Sequence, residues 1–350
     1  MHKWRYYLYD TSLPPTQEMR EAMFRAEVGD DVYNEDPTMK DLEAESAALV
    51  GKEAAIFIPS GTMGNLIAML VHTRRGDEVL LEAESHSYYY ETGGMATVGG
   101  LMLRLVQGRW GILDAEDVKK AIRPKNIHHP RPSLLCVENT HNRGGGTITS
   151  PERMDQLKAV CDEFELKLHL DGARIFNAAV ALDVPVTALT HQADSVMFCL
   201  SKGLGAPVGS ILAGSHACIQ ESIRIRKMLG GGMRRDGFLA AAGLVALRSG
   251  IKRLAEDHRL ARMLAEGLVH CTGMQINLEQ VQTNMVMLEL EPGVMSAVQF
   301  AEEMKKREIK VSARPPQIVQ MVTHRDIGEA DIAIIIEETK EVLKQAENAS

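Results

Sequence analysis

The chain has 350 residues, a net charge of −8, 45% hydrophobic and 25% charged residues, a composition ordinary for a globular enzyme. With no basic run the charge argues against nucleic-acid binding, and no apolar run approaches the roughly 20 residues of a membrane span. The first residues carry no apolar targeting core, and Cys136, Cys161, Cys199, Cys218 and Cys271 form no C-x-x-C pair, so buried thiols and a cytoplasmic location are expected.

Thr16, after Pro14 and Pro15, opens a short helix over 16–26, and a glycine-and-acid loop fills 29–36. Asp36 and Pro37 start a second helix with Leu42, Leu49 and Val50 on one side. A strand over 54–58 stops at Pro59, and Ser60-Gly61-Thr62 turns into a helix over 65–71. Strand and helix then alternate: strand 78–82, helix 87–96, strand 102–106, helix 115–122, strand 133–138, helix 151–164, strands 166–170 and 195–200. This alternation predicts an α/β fold with a mostly parallel central sheet covered by helices. A strand over 210–213 and helices over 217–229, 238–248 and 251–269 follow. Strands 284–290 and 318–322 with helices 296–307 and 328–346 read as a smaller α+β unit. The expected division is an N-terminal segment 1–36 packing with the small domain, a large domain 37–254 and a small C-terminal domain 255–350.

Two apolar strands end in chemistry. One runs into Asp171 and the next into Lys202-Gly203, about one helical crossover later. Such a crossover places both groups on the same edge of a parallel sheet, where open α/β sheets bind ligands. A lysine there forms a Schiff base with a carbonyl cofactor if it is neutral, and a buried carboxylate opposite keeps a pyridine nitrogen protonated. The pair reads as a pyridoxal phosphate site. Ser60, Gly61 and Thr62 lie between a strand and a helix start, where amides and the helix dipole favour a phosphate; taken alone, the same triplet is an ordinary N-cap.

His86 follows a strand end on the same edge and either stacks on the pyridine ring or is a satisfied structural histidine; its company favours stacking. The run Glu138-Asn-Thr-His141-Asn142 is equally well placed, or caps the loop before Gly144. His128, His129 and His141 lack metal-ligand spacing, so no metal site is expected. Gly230-Gly231-Gly232 lacks the preceding strand of a dinucleotide fingerprint.

These motifs resemble those of the L-threonine aldolases, pyridoxal phosphate enzymes of fold type I. The stretches that carry the resemblance are 27–33, 59–65, 138–142, 169–177 and 195–204, and it extends from about residue 15 to the C-terminus. It implies that Lys202 carries the cofactor, Asp171 pairs with its ring nitrogen, His86 stacks on the ring, and Ser60, Gly61 and Thr62 bind its phosphate. It also implies that Arg174 faces the substrate carboxylate and that His128 lies near the substrate's β-hydroxyl. The activity implied is cleavage of a β-hydroxy-α-amino acid into glycine and an aldehyde. The assembly implied is a homo-oligomer, a dimer of dimers with shared sites, in which Arg234 and Arg235 approach a neighbour's phosphate pocket.

Two positions depart from the family pattern. Tyr9 stands where the family has a serine touching the substrate carboxylate, and Gln320 where it has an arginine. A glutamine amide does not replace a guanidinium's charge; Arg314, six residues upstream, is the candidate substitute. The departures raise an alternative, a related lyase or aldolase for a β-hydroxy amine with a different or missing acid group. A β-eliminating lyase or aminotransferase is a second alternative, and a non-catalytic binding protein a third, disfavoured by intact Lys202 and Asp171. On this reading, restoring Tyr9→Ser with Gln320→Arg raises activity on threonine.

Overall fold

A computed structural model describes residues 6–349, with side chains from 8 to 346. After a two-residue strand β1 (Tyr6–Tyr7), the large sheet takes β2 (Ala54–Ile58), β3 (Glu78–Glu82), β4 (Met102–Val106) and β5 (Pro132–Glu138). It continues with β6 (Lys167–Asp171), β7 (Ser195–Cys199) and β8 (Ser210–Gly214). Their order across the sheet is β2-β8-β7-β6-β5-β3-β4. Neighbours pair in parallel except at β8, which is antiparallel to both β2 and β7. With β8 alone reversed, the carboxyl ends of β2, β3, β5, β6 and β7 lie along one edge.

The strands read as apolar runs because both faces are covered. Alternation along each strand sends Phe57, Leu80, Leu135, Leu168, Leu170 and Phe198 into one core. Ile56, Ile58, Met197 and Leu212 go to the other face, under the helix Gly61–His72. That helix starts four residues earlier than its apolar pattern indicates. Ser60 is extended and its hydroxyl accepts the Met63 amide, while glycines let the first turn lie on β7. A Cβ on Gly64 would come within 2.8 Å of Met197.

Two helical expectations change in detail. The helix predicted over 87–96 is two short pieces, His86–Tyr89 and Gly94–Thr97. Thr92 and Gly93 between them take left-handed backbone angles, a turn that leaves Glu91 buried. The helices Gly237–Val245 and Ile251–Leu268 are joined through a π-helical stretch, Ala246–Gly250, instead of being separate.

The C-terminal part adds β9 (Met274–Gln275), β10 (Met285–Leu290), β11 (Ile309–Lys310), β12 (Ser312–Arg314) and β13 (Ile318–Val322). Four of them form an antiparallel sheet in the order β12-β13-β10-β9. Its apolar face packs with Leu260, Leu264, Phe300, Ile332 and Ile335 into a second core. The N-terminal segment does not pack with this unit throughout. Strand β1 pairs with β11 and Leu8 completes the small core, but Met19, on the helix Gln17–Arg25, is buried in the large one beside Met39 and Leu42. The apolar side of that helix lies on Gly237–Val245, which is why the segment divides.

Candidate active site

The shared carboxyl edge gathers several of the candidate side chains. β6 ends at Asp171 and β7 leads to Lys202, with the two strands adjacent and parallel. Beside them a cavity of about 320 Å³ is lined by Ser60, Gly61, Thr62, Asn65, His86, Glu91, Asp171, Cys199 and Lys202, among others. A Cβ on Gly61 would come within 3.0 Å of the Cys199 sulfur, so the helix N-terminus lies close against the strand that delivers Lys202.

Asp171 is held by both oxygens: Oδ2 accepts from Asn65 Nδ2 at 2.8 Å and Oδ1 from the Ala173 amide at 3.1 Å. The same Asn65 amide donates to Glu91 Oε1 at 2.9 Å, and Glu91 Oε1 lies 2.9 Å from His86 Nδ1. Burial works against a charged His86, but the Glu91 hydrogen bond and the Asp171 charge hold its pKa above the ordinary value. Burial, and then the Asp171 charge, hold the Glu91 carboxyl high. Ligand atoms of His86, Glu91 and Asp171 lie within 4.8 Å of one another, a grouping in which the Asn65 amide already bridges the two carboxylates.

Glu138, at the end of β5, accepts the His86 amide at 2.6 Å and the Asn142 amide at 2.7 Å. It thereby anchors the loop that carries the histidine. His141 is fully buried, 3.0 Å from Glu82, and accepts the Gly144 amide. Of the two roles open to that stretch, His141 takes the loop-bracing one.

The substrate-side candidates sit differently from expectation. Arg174 is buried and closes on Asp10, Nε to Oδ2 at 2.6 Å and Nη2 to Oδ1 at 2.7 Å. The Tyr9 hydroxyl donates to the Val311 carbonyl at 2.6 Å, between β11 and β12, and Tyr9 is not among the residues that line the cavity. Gln320 is buried on β13, and its Oε1 accepts from Arg314 Nη2 at 2.6 Å. Arg314 also reaches Asn142 Oδ1 at 3.2 Å. Burial, together with the Arg143 and Arg174 charges, depresses its pKa. It lines a second cavity, of about 540 Å³, with Arg143, Trp110, Met287 and Glu289. His128 is exposed and precedes β5, at the opposite edge of the sheet from Lys202; the fold of one chain does not bring it to the cavity.

Sequence reasoning does not single out Asn65, Glu91 or Asp10. Asn65 falls inside the 59–65 motif, one turn into the helix, and that spacing is the signal available for it. Glu91 gives none, because the contact that buries it against Asn65 spans 26 residues; Asp10 gives only its place beside Tyr9 in the run aligned with the family pattern, since its partner Arg174 lies 164 residues away.

A family model for beta-eliminating lyases matches residues 8–291. The chain is 44% identical to low-specificity L-threonine aldolase 1 of Arabidopsis thaliana, over 92% of each chain. It is 42% identical to the low specificity L-threonine aldolase of Escherichia coli K12, over 93% of this chain and 95% of that one. In fold it is similar to a threonine aldolase of Leishmania major, with a TM-score of 0.83 and 21% identity over 97% of this chain and 99% of that one. A putative L-allo-threonine aldolase of Listeria monocytogenes gives a TM-score of 0.80 and 21% identity, over 97% of each. The chain belongs to the beta-eliminating lyase family, alongside the low-specificity L-threonine aldolases.

Proposed function

We propose that the chain is a pyridoxal phosphate-dependent lyase that breaks the Cα–Cβ bond of a β-hydroxy-α-amino acid of the threonine type, giving glycine and an aldehyde. The observation that carries the reading is the meeting, in one cavity, of a lysine, a buried carboxylate and a helix N-terminus flanked by two hydroxyl side chains. This donor set fits the cofactor: Lys202 for its aldehyde, Asp171 for its ring nitrogen, and Ser60, Gly61 and Thr62 for its phosphate. When bound, the cofactor supplies an electron sink for the carbanion left at Cα. The relatives' activity, as their names give it, supports the same assignment.

The protein groups divide the remaining work. The Glu91 contact places the proton of a neutral His86 on Nδ1 and leaves Nε2 to take the β-hydroxyl proton. Arg314 binds the substrate carboxylate. Its hydrogen-bond partners Asn142 and Gln320 are neutral, and a half-buried cation with no ion pair among the described residues favours binding an anion. In this arrangement Gln320 does not stand in for a missing arginine but aims the one at 314. A guanidinium there favours an amino acid over an amine without an acid group. Arg174, its fork closed on Asp10, contributes its remaining Nη1 edge.

We further propose a homo-oligomer, a dimer of dimers, in which His128 acts at the β-hydroxyl in a neighbour's site and Arg234 and Arg235 approach a neighbour's phosphate pocket. The exposure of these three residues supports that role; an active monomer in sedimentation would rule it out. Among the described residues no helix is long and apolar enough to cross a membrane, and the five free thiols suit the reducing cytosol.

The test is direct. Purified with pyridoxal phosphate, the protein is expected to be yellow and to convert L-threonine into glycine and acetaldehyde, and Lys202→Ala to lose the covalent link to the cofactor and the activity. A colourless protein that gains no absorbance on adding the cofactor overturns the reading.

A further inference from the structure

The helix Gly61–His72 leaves the cavity at Gly61 and ends at the opposite edge of the sheet, about 18 Å away at 1.5 Å per residue. Between it and the sheet a line of polar groups crosses an otherwise apolar layer. His72 Nε2 lies 2.8 Å from Ser195 Oγ, and Ser195 Oγ lies 2.8 Å from His169 Nδ1. His169 Nε2 lies 3.1 Å from Asn65 Oδ1, and the Asn65 amide ends the line on Asp171 and Glu91. Asn65, His169 and Ser195 are all buried.

The direction of every bond follows from the carboxylate end. The Asn65 NH2 donates to both carboxylates, so its carbonyl oxygen faces His169. That oxygen only accepts, so His169 carries its proton on Nε2. Burial pushes His169 down to about 4, which leaves the ring neutral and Nδ1 bare, and Nδ1 accepts from the Ser195 hydroxyl. The hydroxyl in turn accepts from His72 Nε2–H, and burial holds His72 at about 4 as well. In this arrangement each donor in the line meets an acceptor. Burying such a line between helix and sheet is costly unless each member is satisfied, so a role in the adjoining site is the physical return for keeping it.

Neutrality matters at Asp171. A cationic histidine behind it would compensate its charge, whereas a neutral donor fixes its position and leaves the charge for a partner in the cavity. We propose that His169, held in its Nε2–H tautomer by Ser195 and His72, is a positioning residue that fixes the Asn65 amide and, through it, aims Asp171 at the cofactor's ring nitrogen. This rests on the reading of the cavity as a pyridoxal phosphate site.

The experiment uses the protein loaded with cofactor labelled with ¹⁵N in its ring and reads the nitrogen's NMR shift, the cofactor dissociation constant and the melting temperature. In His169→Leu the nitrogen signal is expected to move toward that of unprotonated pyridine, with dissociation weakened about tenfold, the equivalent of one hydrogen bond. Ser195→Ala should move the signal the same way by less, and His169→Gln, which restores a donor to Asn65, should move it back. If His169→Leu does not fold, Ser195→Ala decides by the same signal. A nitrogen signal unmoved in these variants, even with a lower melting temperature, assigns the line to packing and overturns the proposal. A wild-type protein that takes up no cofactor overturns the site reading itself, and the relay's role with it.

Discussion

Asp10 and Arg174, 164 residues apart, form a buried two-bond pair, with guanidinium nitrogens 2.6 and 2.7 Å from the two carboxylate oxygens. Burial opposes the charge on Asp10, but the Arg174 guanidinium holds its carboxyl below the usual range. The pair ties the segment that pairs with β11 to the carboxyl edge of the large sheet.

Removing one partner strands the other's charge, which typically costs about 3–5 kcal/mol. Asp10→Ala is therefore expected to lower the urea midpoint sharply, and Asp10→Asn less so. A depressed folded pKa means that the pair's stabilisation is present above the unfolded pKa and lost as pH falls through the folded one. The gap between wild type and Asp10→Asn should be full at neutral pH and close in acid below the ordinary carboxylate range. A gap that does not vary with pH would exclude an ionised Asp10 as its source.

The Arg314–Gln320 bond predicts a binding defect more than a chemical one. Losing a charge-assisted contact of this kind costs about 1.5–3 kcal/mol, roughly 10- to 150-fold in affinity. Arg314→Ala should raise KM for threonine by that order with kcat less affected, and Gln320→Ala should do so more weakly. Gln320→Arg places a second guanidinium against the first and should raise KM, with or without Tyr9→Ser. Steady-state kinetics decide between this outcome and the improvement that the family pattern alone suggests.

His86 owes its raised pKa to Glu91 and Asp171, against the effect of burial. Glu91→Gln should lower it. A base is active when unprotonated, so the acid limb of kcat/KM should shift to lower pH while the plateau falls, because a weaker base takes the hydroxyl proton less readily. NMR titration of the His86 ring should show the same downward shift. An unmoved ring pKa would remove Glu91 from the account.

Asp236 has both carboxylate oxygens buried without a hydrogen-bond partner among the described residues. Burial, and then the Asp31 charge, push it up to about 6. A raised carboxyl pKa costs nothing in acid; the cost grows as pH rises past the unfolded value and is complete above the folded one. Asp236→Asn should therefore raise the melting temperature at neutral pH, by ~1–2 °C for each kcal/mol recovered, and leave it unchanged near pH ~4. Equal melting curves at neutral pH would mean that Asp236 is paired in solution.

Much of this protein is legible in its sequence because it depends on short-range pattern. Apolar runs of about five residues separated by helical stretches dictate a sheet with parallel crossovers, and Asp171 and Lys202 at the ends of two such runs are delivered to one edge. Caps at Thr16, Asp36 and Ser150 start helices because a side-chain oxygen beside its own helix acts locally. Local pattern does not reveal the reversal of β8, since an apolar strand buried on both faces reads the same in either direction.

Tertiary structure decided which partner each charged or amide group takes. Arg174 reads as a free clamp until Asp10 closes on it, and Gln320 as a lost charge until the antiparallel pairing of β12 with β13 brings Arg314 to its side. The line from His72 to Asp171 joins residues up to 123 positions apart. Short-range pattern settles where a strand or helix begins, because its hydrogen bonds close within a few residues. A buried polar side chain is settled by whichever donor or acceptor the packed fold sets within about 3 Å of it, and that neighbour is seldom near it in the chain.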